Sequence, residues 1–166
     1  MNWYALHVRS TQEPTVALKL DAAGIESYYP HALIKSRDGK RSIERRFMPG
    51  YVFAYFDLAE KTAVVAIPQV AGILGFGRHA VSIPNSEIEQ VKKIVSFPNI
   101  AMPCQFFAAG NKVRVRYGPL TGLEGYVMRW KKKAWVVVTL TSAECSIKAE
   151  VDPQSLELIN PQGKAA

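Results

Sequence analysis

Hydrophobic and polar residues alternate from Trp3 to Arg9, with Tyr4, Leu6 and Val8 on one side and Trp3, Ala5 and His7 on the other. This is the period of a strand with two unequal faces. The stretch STQEPTVALKLDAAG then predicts a helix. Ser10 or Thr11 can accept bonds from its first amides, Glu13 suits its positive end, Val16, Ala17, Leu18 and Leu20 supply apolar surface, and Gly24 stops it. IESYYPHALI predicts a second strand broken at Pro30, followed by an exposed basic hairpin or loop from Lys35 to Arg46 with a turn at Asp38-Gly39. After the Pro49-Gly50 turn, Tyr51, Phe53 and Tyr55 share one strand face and Val52, Ala54 and Phe56 the other. Both faces are apolar, so both should be covered.

AEKTAVVAIP predicts a short helix ended by Pro68, GILGFG a short strand and turn, and PNSEIEQVKKIVSF a helix capped by Asn85 or Ser86 with Ile88, Val91 and Val95 at core spacing. That order suits an α+β sandwich, an antiparallel sheet flanked by helices, over residues 1–97. Two prolines and no clean period mark residues 98–108 as a linker. Over 109–166 the period shortens: KVRVRYG, GLEGYVMRW, KKAWVVVTL, CSIKAEV and SLELI are five alternating runs, with turns at Gly118-Pro119, Lys131 to Lys133 and Asp152-Pro153. They predict a small β-barrel.

Composition changes this picture little. Apolar residues make up 48% and charged residues 21%, as in an ordinary globular chain. No run is long enough to cross a bilayer and the N-terminus does not read as a secretory signal, which makes a cytoplasmic protein the default expectation. The net charge of +7 points to a polyanion or an acidic partner and is shared, +3 over residues 1–105 and +4 over 106–166. Cys104 and Cys145 are too few for a zinc site or a disulfide framework. His7, His31 and His79 are scattered and GILGFG does not fit a dinucleotide or phosphate-binding loop, so neither catalysis nor a cofactor or metal is expected.

Two sets of residues carry a resemblance. GNKVRVRYGPLTGLEGYV, from Gly110, resembles the KOW motif that begins an SH3-like barrel. WYALHVRS, MPGYVFAYFD and IPQVAGILGFG, in that order, resemble three blocks of the NusG N-terminal domain. Together they span nearly the whole chain, which is thereby identified as a member of the NusG/RfaH family of transcription elongation and antitermination factors. Departures from the common pattern lean towards a specialised paralogue.

The resemblance implies that an apolar face of the N-terminal domain seats on the clamp helices of the largest catalytic RNA polymerase subunit. Matching positions are Trp3 or Tyr4, Pro49, Tyr51, Phe53, Tyr55, and Ile83 and Pro84. The same aromatics could instead fill a core. Glu60 to Ala63 lies where a specialised relative contacts the opposite pincer through hydroxylated residues, of which only Thr62 remains. His31, Lys35, Arg37, Lys40, Arg41, Arg45 and Arg46 are candidates for contact with non-template or upstream DNA. The family's barrel recruits a small-subunit ribosomal protein or Rho. The matching positions are Leu120 and Leu123, with Arg129 and Trp130 a candidate RNA contact. A monomer without membrane contact is expected. The rival reading is a KOW-type RNA-binding protein associated with the ribosome, which leaves the aromatic face without a role. An open barrel, rather than a helical hairpin, is expected from Val136, Val137, Val138 and Thr139.

Overall fold

The computed structural model describes residues 1–76, 79–104, 110–130 and 132–159. The first unit is a mixed α+β layer structure. Strand β1 (Asn2–Val8) leads to helix α1 (Glu13–Ala22), strand β2 (Glu26–Tyr28), a separate hairpin of β3 (His31–Lys35) and β4 (Ser42–Arg46), strand β5 (Tyr51–Phe56) and helix α2 (Lys61–Val65). Short strands β6 (Val70–Ile73), β7 (Gly75–Phe76), β8 (His79–Ala80) and β9 (Ser82–Ile83) then precede helix α3 (Asn85–Val95). The main sheet runs β2-β5-β1-β6, with β9 also on β1, and its β1–β5 and β2–β5 pairings are antiparallel.

Period-two alternation decides what each face buries. Tyr4, Leu6, Val8, Val52, Ala54 and Phe56 join Val16 and Leu20 of α1 and Val64 of α2 on one side. Trp3, Ala5 and Phe53 face the other side, towards Ile88, Val91, Ile94 and Val95 of α3. Each of those four α3 side chains contributes about 2 kcal/mol of transfer free energy.

Both expected caps are absent. α1 begins at Glu13 with Gln12 at its N-cap, and α3 begins at Asn85 with Pro84 there; neither cap makes a side-chain bond. Proline pre-sets the extended entry to α3, and Asn85 is free to accept from the Trp3 indole at 3.1 Å. Leu18, expected on the apolar face of α1, is 71% exposed.

The segment expected to be a plain linker contains a strand. β10 (Ala101–Cys104) lies antiparallel on β14 (Cys145–Val151) and extends the second sheet, whose order is β10-β14-β13-β12-β11-β15. The other strands are β11 (Lys112–Val115), β12 (Glu124–Trp130), β13 (Lys133–Leu140) and β15 (Leu156–Leu158), which with β14 are the five expected runs. Gly118, at φ +96°, makes the turn after β11 that a side chain would strain. Among the described residues no helix is long and apolar enough to cross a membrane.

Candidate protein and nucleic-acid interface

Register places the aromatic side chains together. Trp3 faces Tyr55 across β1 and β5, Ala5 faces Phe53, and His7 faces Tyr51. The Trp3 and Tyr55 rings lie 5.4 Å apart, His7 and Tyr51 5.8 Å, and Tyr28 stacks on Phe53 at 6.5 Å. Tyr4 falls on the opposite face, 5.0 Å from Phe56 beneath the α1 and α2 layer, so of the two alternatives only Trp3 can belong to this cluster. Trp3 and Phe53 are 3% and 0% exposed, whereas Tyr51 and Tyr55 are half-buried. Pro49 and Pro84 are exposed, Ile83 is buried against Trp3, and Thr62 is exposed on α2 away from this face.

Sequence reasoning missed the polar frame of the cluster. Lys92 holds its ammonium 5.4 Å from the Trp3 ring and 5.7 Å from Tyr28, and bonds Glu89 at 2.9 Å. Asn85, Glu89 and Lys92 recur at helical spacing, the signal that would have put them on one face of α3. Burial, with Glu89 adding to it, pushes the Tyr28 phenol above its ordinary range.

The hairpin sorts its charges. Arg46 bonds Glu13 at 3.2 Å and Glu44 at 3.2 Å, and Glu13, 1% exposed, also accepts from the Gly50 amide at 2.8 Å. Arg45 donates to the carbonyls of Pro98 and Ala101 at 3.0 and 3.1 Å. Both arginines, expected at a DNA surface, are thus committed to structure. His31 is held by the Tyr29 carbonyl at 2.8 Å and stacked on the Tyr29 ring. Asp38 is consumed in the turn by the Ser36 hydroxyl and the Lys40 amide, which hold its carboxyl below the usual carboxylate range. Lys35, Arg37, Lys40 and Arg41 are exposed. With Leu33, 70% exposed, they make the ribbon's outer end a cationic prong.

The barrel seats on α3. Gln90 accepts from the Glu124 amide at 3.0 Å, and the Lys93 ammonium donates to the Thr121 carbonyl. One apolar cluster runs from Trp3 and Phe53 through α3 to Val136, Val138 and Ile147. Leu120 and Leu123, expected to be presented to a partner, are 1% and 0% exposed inside it. Arg129 is exposed; the Trp130 side chain and Lys131 lie outside the described residues. Tyr51 lies within hydrogen-bonding reach of Cys145 on the barrel; burial first, then this neighbour, raises the Tyr51 phenol. Among the described residues no cluster could hold a metal ion.

A family model described as "Transcription termination factor nusG" matches residues 1–92. The transcription termination/antitermination protein NusG of Borreliella burgdorferi is 31% identical over 139 residues, covering 74% of each chain. That of Pseudomonas aeruginosa is 29% identical over 140 residues, covering 75% of this chain and 79% of its own. That of Treponema pallidum is 28% identical over 179 residues, covering 90% and 95%. A solved structure titled "Domain interaction in Thermotoga maritima NusG" superposes with a TM-score of 0.56 at 20% identity over 96% of this chain and 97% of its own, a likeness of fold. With a family model matching residues 1–92, more than half of its length, and a NusG relative 31% identical over 74% of each chain, the chain belongs to the NusG family of transcription termination and antitermination factors.

Proposed function

We propose that residues 1–97 bind the clamp helices of the largest catalytic RNA polymerase subunit through the aromatic sheet face, that 98–108 connect, and that 109–166 form the recruiting barrel. The observation that carries this reading is the β1–β5 register, which gathers Trp3, Tyr51, Phe53 and Tyr55 on one face beside Pro49 and Pro84. Rigid rings bury large areas with little rotamer entropy to lose, the property of interface anchors. Trp3 and Phe53 set the floor, and the half-buried Tyr51 and Tyr55 make the contact. A factor that binds only the closed clamp populates it by mass action, suppressing pausing without making or breaking a bond.

Lys35, Arg37, Lys40 and Arg41 reach non-template DNA in this reading, and Thr62 is left for the opposite pincer. The barrel recruits a small-subunit ribosomal protein or Rho through the loop of Leu120 and Leu123, which must open to expose them. The test is the affinity of the full chain for purified polymerase. The double substitution Tyr51→Ala and Tyr55→Ala should weaken it by at least about tenfold, with unchanged circular dichroism and loss of pause suppression. Wild-type affinity in that variant would remove the aromatic face from the mechanism.

A further inference from the structure

The aromatic floor runs on into a cleft of about 570 Å³ between the C-terminal half of α3 and the bend that joins β2 to β3. Ala32, Val95 and Pro98 give it apolar walls, and Tyr28, whose ring stacks on Phe53, carries the floor into it. Most of its polar groups are already committed. Asp21 accepts from the Ser27 hydroxyl at 3.0 Å, Ser96 donates to the Lys93 carbonyl at 2.7 Å, and His31 Nδ1 donates to the Tyr29 carbonyl at 2.8 Å. Lys92 differs. Its ammonium stands over both the Trp3 and Tyr28 rings, held by their faces, and its carboxylate partner Glu89 lies one turn back on the same helix with a side chain 54% exposed. An exposed pair of this kind is weak, because water solvates the freed carboxylate well. The cation is therefore placed in advance, while its partner is easily exchanged.

We infer that this cleft takes an aspartate or glutamate side chain from the docked polymerase helix, and that Lys92 is the specificity-determining residue that reads it. The inference rests on the polymerase-binding reading of the aromatic face given above and names the chemistry of the helix that fits it. On docking, Lys92 exchanges Glu89 for the incoming carboxylate without leaving the two rings, so little side-chain entropy is lost. The docked helix excludes water, which strengthens the new pair relative to the solvent-facing one. Asp21, on the α1 wall of the cleft, repels the same carboxylate and so directs it to the α3 side. Rings alone accept any apolar helix; the cation selects an acidic one and rejects a basic one.

The affinity of the full chain for purified polymerase, measured at low and at high salt, tests this. Lys92→Met keeps an apolar stem over the rings and removes the charge. It should weaken binding about tenfold at low salt, converge on the wild type at high salt, and leave the circular dichroism unchanged. Lys92→Glu should lose about tenfold more at low salt, since two carboxylates then meet. Glu89→Gln, which frees Lys92, should bind at least as tightly as the wild type. The inference is overturned by wild-type affinity in Lys92→Met, by a loss in it that is the same at both salt concentrations, by equal losses in Lys92→Met and Lys92→Glu, or by a loss in Glu89→Gln as large as in Lys92→Met. Wild-type affinity in Lys92→Met while the Tyr51 and Tyr55 double substitution weakens binding removes this inference alone; wild-type affinity in both removes the aromatic face with it.

Discussion

Glu13 shows how much one side chain can organise. A carboxylate 1% exposed is tolerated because Arg46 neutralises it at 3.2 Å and the Gly50 amide satisfies its second oxygen at 2.8 Å. The two bonds tie the start of α1 to the end of the hairpin and to the turn that launches β5, and so aim both candidate surfaces. Removing Glu13 leaves the Gly50 amide without its acceptor and Arg46 with Glu44 alone, so Glu13→Ala should lower stability by about 2 kcal/mol, read as a shift of the urea midpoint. Glu13→Gln should cost less, since its amide oxygen still accepts from Gly50. Equal losses would mean that the charge, not the acceptor, carries the effect. In the sequence Glu13 reads only as an acidic residue in a first helical turn, because an ion pair across 33 residues has no local signature.

At the scale of elements, what repeats was legible. Alternation gave β1, β5 and the barrel strands, and Asp38-Gly39 gave the hairpin turn, because strand period and turn chemistry are local. β10 escaped notice since Pro103 interrupts a four-residue run whose partner lies more than forty residues on. The helix starts differ from the expected caps: α1 begins one residue after Gln12, and in α3 Pro84 takes the cap position while Asn85, already in the helix, accepts from the Trp3 indole. Gly125 in β12 has a role that a motif match alone does not explain: a Cβ there would meet the Val137 carbonyl oxygen at 2.3 Å and Val136 Cγ1 at 2.9 Å. Gly125→Ala should push β12 off β13 and cost about 2 kcal/mol or more. Thermal unfolding checks this, and an unchanged midpoint would show that β12 can shift freely. The candidate site was half legible: its ring-bearing strands are local patterns, but Lys92, Gln90 and Cys145 enter it only through tertiary packing.

The whole molecule adds what no segment of sequence carries, a barrel seated against α3 and beside the edge of the aromatic face. Cys145 is placed to report that seating. Burial, with Glu144 adding and Tyr51 opposing, pushes its thiol from the ordinary 9.0 up to about 11. The thiolate is the nucleophile, and below the pKa its fraction falls about tenfold per pH unit. At pH 8 Cys145 should therefore react with iodoacetamide on the order of 100-fold more slowly than an open thiol. Burial outweighs the opposing Tyr51 bond, so a looser barrel that admits water to Cys145 should return the thiol towards 9.0. Gln90→Ala with Lys93→Ala removes two α3 bonds to the barrel and should accelerate labelling of Cys145 about tenfold or more. If Cys145 labels at the same slow rate in this variant, the barrel alone buries it, and docking does not set its reactivity.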